Sequence, residues 1–143
     1  MAQFLAVALI LTAQFAASPA QAGNDTWNGN GTPDGNWSNA ANWDTAPAAG
    51  DFLNFDTGNQ TASTNDFAAG TIFGNLGFNP SAGAFTLSGN GIILTNGADG
   101  GNGTTVGGSI SNLSNGAEII ALPVTYSAGN HIITTVSARG SLT

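Results

Sequence analysis

The sequence predicts an all-β chain, folded as a parallel β-helix or β-solenoid. Three observations point there. First, short apolar runs recur from about residue 71 onward: Thr71-Ile72-Phe73, Phe85-Thr86-Leu87, Ile92-Ile93-Leu94, Glu118-Ile119-Ile120, Val124-Thr125-Tyr126 and His131-Ile132-Ile133. Almost all are bounded by Gly, Asn or Ser, residues that punctuate strands. Second, Ile72, Ile92, Ile110 and Ile132 follow one another at intervals of 20, 18 and 22 residues (92 − 72, 110 − 92, 132 − 110). A period near 20 residues lies in the range of solenoid coils, each burying its apolar face on the next. Third, the composition suits strands and turns. There are 21 Gly in 143 residues and only 6% charged residues, against about 25% in ordinary soluble domains. Asn90-Gly91, Asn96-Gly97, Asn102-Gly103 and Asn115-Gly116 supply tight turns, and the same dipeptides would also close antiparallel hairpins. A β-sandwich is therefore the alternative fold.

Residues 1–22 read as a secretory signal. Phe4 to Phe15 is mostly apolar and too short for a bilayer core, which needs about 20 apolar residues. Ser18-Pro19-Ala20-Gln21-Ala22 supplies a breaker and an Ala-x-Ala cleavage site, placing cleavage after Ala22. The segment before the apolar run lacks the usual Lys or Arg.

Residues 23–70 form a Trp-rich cap and entry coil. Trp27, Trp37 and Trp43 are all the tryptophans of the chain, and Asn28-Gly29-Asn30-Gly31 and Pro33-Asp34-Gly35 between them are turn signals. The first coil of a solenoid lacks a neighbour on one side. Three indoles over that open end would cover it, each large side chain contributing about 1.5–3 kcal/mol on burial. Exposed rings stacking on sugars are the alternative; capping is preferred because the ladder follows. Residues 71–143 are read as the coils themselves, with residues 97–103 as an excursion. About 70 residues make only three to four coils, near the minimum for a stable stack. No C-terminal cap is visible, so the chain reads as the N-terminal piece of a longer polypeptide.

The spacing of Thr26-Trp27-Asn28-Gly29, Gly35-Asn36-Trp37-Ser38, Asn42-Trp43-Asp44, Pro47, Gly50-Asp51 and Phe55-Asp56 resembles the opening of bacterial autotransporter-type secreted proteins with autotransporter-associated β-strand repeats. Thr71 to Phe78 and Phe85 to Ile92 resemble the first rungs of such passengers, and Ala138 to Thr143 resembles the start of their Gly-x-Leu-Thr repeat. The resemblance implies a right-handed parallel β-helix exported to the cell surface. Members often carry a C-terminal outer-membrane barrel or a sorting tail.

The charge balance narrows the partners. The net charge is −7, with one Arg (Arg139) and no Lys, so no basic patch can form for nucleic acid or anionic lipid. There is no Cys, hence no disulfide staple or thiolate metal site. The carboxylates are Asp25, Asp34, Asp44, Asp51, Asp56, Asp66, Asp99 and Glu118. A polysaccharide-cleaving enzyme needs two of them facing across a substrate, with Asp44, Asp51 and Asp56 the candidates. Most sit beside Gly, Asn or Pro, where Asp stabilises turns. Asn28 to Asp34 is oxygen-rich but lacks the alternating Asp and bidentate Glu of a calcium loop. His131, the single His, has no partner for a metal site or a triad. No catalytic, cofactor or metal residue is therefore assigned. The expected function is a non-enzymatic, secreted or cell-surface, structural or adhesin-like segment. Its expected partners are extracellular glycans or further coils of the same chain, and no membrane insertion of the mature segment is expected.

Overall fold

A computed structural model describes residues 22–95, 107–129, 131–135 and 141–143. Residues 1–21 of the predicted signal peptide, the excursion at 97–103, Asp99 and Arg139 lie outside the described residues. Among the described residues, twelve strands account for nearly all of the regular structure: β1 (Asn24–Trp27), β2 (Phe52–Phe55), β3 (Ala62–Asn65), β4 (Thr71–Phe73), β5 (Leu76–Phe78), β6 (Thr86–Gly89), β7 (Ile92–Leu94), β8 (Gly107–Asn112), β9 (Ala117–Ile120), β10 (Val124–Tyr126), β11 (His131–Thr135) and β12 (Ser141–Leu142). One short 3-10 turn covers Ala40–Asn42.

The strands form three sheets, ordered β1-β2-β5-β8-β11, β3-β6-β9-β12 and β4-β7-β10. Every pairing between these strands is parallel. From β5 onward each strand joins the sheet of the strand three places earlier, while β2 pairs with β1 directly before it. Asn90-Gly91, between β6 and β7, and Asn115-Gly116, between β8 and β9, therefore turn corners between sheets and do not close hairpins. The antiparallel contacts a sandwich would need are limited to one isolated bridge, Trp27 to Trp43.

The register corrects the isoleucine ladder. Ile72 lies opposite Ile93, Ile92 opposite Thr71 and Val124, and Ile110 opposite Leu76 and Ile133. The four isoleucines belong to two sheets and share no column. Ile72 and Ile132 are about half exposed, whereas Ile92 and Ile110 are buried. Period 2 within a strand decides which face a residue takes, and the isoleucines fall on both. The true repeat is the partner offset. It is 23 from Leu53 to Leu76 (76 − 53), 24 from Ala62 to Thr86 (86 − 62) and 21 from Thr71 to Ile92 (92 − 71). It rises to 34 from Leu76 to Ile110 (110 − 76), 33 from Thr86 to Ile119 (119 − 86) and 32 from Ile92 to Val124 (124 − 92). It returns to 23 from Ile110 to Ile133 (133 − 110) and 24 from Ala117 to Ser141 (141 − 117). The three enlarged offsets all span the stretch between β7 and β8, so the extra length is inserted there.

The ladder also starts earlier than residue 71. β1 pairs with β2 from Asn24 onward, so the Trp segment contributes a strand to the first sheet. Its loops lie along the outer strands of all three sheets. Asn28 N–H donates to Asn42 O and Asp44 N–H to Thr26 O beside β1. Trp37 N–H donates to Thr64 O beside β3, and Gly50 N–H to Ile72 O beside β4. Backbone groups that would otherwise form open sheet edges are thereby bonded at this end.

The inner faces stack in columns. Asp25, Leu53, Leu76 and Ile110 follow one another in the first sheet, and beside them Trp27, Phe55, Phe78 and Asn112. All are buried. Phe55 lies at the centre, with ring centroids 5.3–6.1 Å from Trp27, Trp37, Trp43, Phe78 and Phe85, the spacing at which aromatic pairs attract.

Two positions, the end of β6 and the second residue of β8, depend on glycine. Gly89 closes β6 at φ +100° opposite Asn65, and a Cβ there would lie 2.3 Å from Asn65 O. Gly108 has no room either, with Leu94 backbone and Cβ 2.6 Å from where its own would be. Gly89→Ala is expected to cost about 1–3 kcal/mol in left-handed backbone strain alone, read as a lower urea midpoint with an unchanged m-value.

Candidate functional site

The tryptophans are not a ligand surface. Trp27 and Trp37 are fully buried and Trp43 is 4% exposed. Trp27 and Trp43 meet edge to face at 5.1 Å, as do Trp37 and Trp43 at 6.3 Å. Each indole N–H is used internally: Trp27 Nε1 donates to Gln60 O (2.9 Å), Trp37 Nε1 to Ser63 Oγ (3.1 Å) and Trp43 Nε1 to Trp37 O (2.9 Å). No indole face is open for a sugar to stack on. The alternative of surface Trp rings that stack on sugars is ruled out by this burial, and the preferred buried placement is the one observed.

The loop between Trp27 and Trp43 is organised around Asn42, which is fully buried. Its Oδ1 accepts from Gly31 N–H (2.7 Å), and its Nδ2 donates to Asp34 O (2.7 Å) and Asn36 O (3.0 Å). Asn28 Oδ1 accepts from Asn30 N–H and Asp34 Oδ1 from Asn36 N–H, each at 2.9 Å. The oxygens that would have to face a calcium ion are thus engaged in holding turns. Among the described residues no group of three or more His, Asp or Glu is placed to hold a metal.

Most carboxylates act as tethers. Asp56 accepts from Asn79 Nδ2 (3.0 Å), from the Ser81 hydroxyl and from Thr57 N–H. The hydrogen bonds from Ser81, Asn79 and Thr57 hold its pKa below the ordinary range. Asp66 accepts from Ser38 N–H (2.8 Å) and Ser38 Oγ (2.5 Å). Burial pushes Asp66 up, but the bonds from Ser38 and nearby backbone outweigh it and leave its pKa lowered. Asp44 Oδ1 accepts from Thr26 N–H and Thr45 N–H, both at 2.7 Å. Of the candidate catalysts, Asp44 and Asp51 both act on Asp25, whereas Asp56 is bonded to Asn79 and Ser81.

Glu118 was expected to lie in an ordinary apolar run. It is fully buried, while its neighbour Ile119 is 45% exposed. Its Oε2 accepts from Phe85 N–H (2.6 Å) and its Oε1 from Ser114 Oγ (2.6 Å). Ser114 N–H donates to Asn112 Oδ1 (2.9 Å), which also stands 2.8 Å from Ser114 Oγ as the alternative acceptor for its one hydroxyl hydrogen. This network ties the turn after β8 to the strands on either side.

One carboxylate group differs from the rest. Asp25 is buried at 1% exposure at the head of the column above Leu53. Its Oδ2 has no hydrogen-bond partner. Asp51 lies beside it, accepting from Gly23 N–H through Oδ1 (2.6 Å) and from Ala48 N–H through Oδ2 (2.7 Å). Burial, a hydrogen bond shared with Asp51, and the charges of Asp51 and Asp44 raise the Asp25 pKa from 3.8 to about 7. Two apposed carboxylates sharing a proton are an acid-base arrangement in principle. Here one of them is sealed from solvent, so no substrate reaches both.

Beside this cluster, a shallow groove of about 170 Å³ crosses the outer face of the first sheet. Asn24, Asn54, Asn75, Ser109 and Ser111 surround Phe52 there, and Asn75 Oδ1 accepts from Ser109 N–H (2.8 Å) and Oγ (2.9 Å). The groove is lined by amides and hydroxyls, with no carboxylate or imidazole among its lining residues.

His131 stays outside any site. Its ring stacks at 4.6 Å on Tyr126 and approaches the carbonyls of Gly108 (3.1 Å) and Ser127 (2.5 Å). Tyr126, whose hydroxyl is buried without a partner, has its pKa raised by that burial.

The Asp25 geometry predicts an inverted pH response for the chain in which Gly23 is peptide-bonded to Ala22. Between about pH 4 and pH 7 the folded state holds a proton on Asp25 that the unfolded state releases, so stability falls as pH rises through that window. Asp56 and Asp66 act oppositely: their contribution is present above about pH 4 and lost as pH falls below it. Denaturant midpoints at constant ionic strength should therefore peak in mild acid, and Asp25→Asn should flatten the fall toward neutrality.

No family model matches the chain, and neither a curated protein nor a solved structure was found that resembles it.

Proposed function

We propose that this chain is a non-enzymatic, secreted or cell-surface structural segment, adhesin-like in character, built as a right-handed parallel β-helix whose first coil is capped by the Trp segment. The observation that carries the reading is the parallel pairing of every third strand, with partner offsets near 23 residues and inner faces that continue from strand to strand. A chain winding through three parallel sheets buries its core between successive coils, and parallel crossovers are overwhelmingly right-handed. The Trp loops bonded along β1, β3 and β4 support the cap. Export is supported by the apolar segment and the Ala20-Gln21-Ala22 motif. No helix among the described residues is long and apolar enough to cross a membrane. At the opposite end, β11 exposes Ile132 and Ile133, a surface suited to receiving a further coil.

Expression of the full chain in a bacterial host, followed by fractionation, tests the reading. Recovery outside the cytoplasm, with β-rich circular dichroism and no activity on a polysaccharide panel, is the expected result. Retention in the cytoplasm, or a helical spectrum, contradicts it.

A further inference from the structure

We propose that the Asp25–Asp51 carboxylate pair is the binding site for the α-ammonium group of Gly23, created when the chain is cleaved between Ala22 and Gly23. The inference rests on the export reading above and assigns that cleavage a structural role.

Gly23 is already placed between the two carboxylates. Its N–H donates to Asp51 Oδ1 at 2.6 Å. The point where its Cβ would stand is 3.1 Å from Asp25 Oδ1 and 3.3 Å from Asp51 Oδ1. Its carbonyl accepts from Phe52 N–H at 2.9 Å, which fixes the residue at the head of β1. In the uncleaved chain the Gly23 nitrogen carries one hydrogen, spent on Asp51. Asp25 Oδ2 is buried with no partner. A buried unpaired carboxylate is costly and is relieved by a cation or by protonation.

The groups that face Asp25 are themselves acidic. Asp51 and Asp44 are the charged neighbours that act on it. The sequence has no Lys, and its one Arg, Arg139, lies outside the described residues. The missing cation can come from the chain's own backbone. Hydrolysis adds water across the Ala22–Gly23 bond: the hydroxyl joins the Ala22 carbonyl carbon, which leaves as a carboxylate, and the Gly23 nitrogen becomes an ammonium at neutral pH. The agent is a leader-removing peptidase of the export machinery, with water as co-reactant. The new ammonium has three donors in place of one. It keeps Asp51 and gains Asp25, both charge-assisted bonds. Glycine suits the position because any side chain would press on these carboxylates.

The test uses the exported protein from the full-length gene. Intact mass gives its first residue. Because the chain contains no Lys, the α-amine is the single amine an acetylating ester can reach. It is expected to start at Gly23 and to react on the order of 100-fold more slowly when folded than in denaturant, as for a group exposed only by opening. Acetylation in denaturant followed by refolding should lower the melting temperature at pH 7.5. Asp25→Asn should destabilise the free-amine form and stabilise the acetylated form, a reversal of sign that a merely structural Asp25 would not show. A Gly23 amine that reacts at the denatured rate, or Asp25→Asn effects of one sign in both forms, overturns the inference while leaving export intact. Recovery of unexported chain with residues 1–22 attached overturns both.

Discussion

Replacing Phe55 by alanine is expected to cost about 3–5 kcal/mol of unfolding free energy, the range for removing a buried aromatic ring from a close-packed core. The size follows from position. Phe55 is the one ring that touches all three tryptophans, and it also stacks on Phe78 at 5.4 Å and packs on Phe85 at 5.3 Å. Deleting it opens a cavity between the Trp segment and the strands packed on it, walled by rings whose indole N–H groups are bonded to Gln60, Ser63 and Trp37 and so cannot collapse inward freely. Total stabilities are about 5–15 kcal/mol, so the substitution removes a large share of the total. Urea unfolding followed by tryptophan fluorescence reads the loss directly. Phe67→Ala, whose partly buried ring packs at the margin on Phe73 (5.9 Å), should cost distinctly less.

Glu118→Ala is expected to cost about 1–3 kcal/mol, because it orphans the buried Phe85 N–H, while the Ser114 hydroxyl can turn to Asn112 Oδ1 at 2.8 Å. Glu118→Gln should recover part of the loss, keeping one acceptor oxygen while its amide confronts a donor. Ile119→Ala, one residue along, should change stability by less than about 1 kcal/mol, as exposed substitutions do. The ordering is the opposite of what residue type suggests, and thermal or urea unfolding of the three variants checks it.

The contrast between Glu118 and Ile119 shows where sequence reasoning stopped. The all-β character was legible because Gly, Asn and β-branched residues leave no helical period to follow. The burial of the tryptophans was legible too, since three large rings in a chain with few others must be covered. The register was not. Isoleucine occurs at Ile72, Ile119 and Ile132 facing out and at Ile92 and Ile110 facing in, so apolar identity did not report the face. The columns are instead filled by Phe, Leu and Trp, and an approximately 23-residue offset is hidden by the longer stretch between β7 and β8. Asp25 escaped notice because Asn24-Asp25-Thr26 reads as a turn. A carboxylate alternating with Trp27 on one face of a strand was the available signal, since both must point inward together. The Glu118 network had no such signal: its partners Phe85 and Ser114 lie 33 and 4 residues away, and only the coil register brings them together.

The central claim is the winding itself, strand onto strand three places earlier, always parallel. Long-range proton contacts in the isotopically labelled protein test it most directly. The pairing predicts backbone contacts linking Asn54 to Gly77 and Gly77 to Ser111 in the first sheet, and Ile72 to Ile93 in another. Each should come with evenly spaced, slanted hydrogen-bond partners. Strong Hα–Hα contacts between strands adjacent in sequence, the mark of antiparallel pairs whose Cα atoms close to about 4.5 Å, would replace the winding with hairpins and contradict the account.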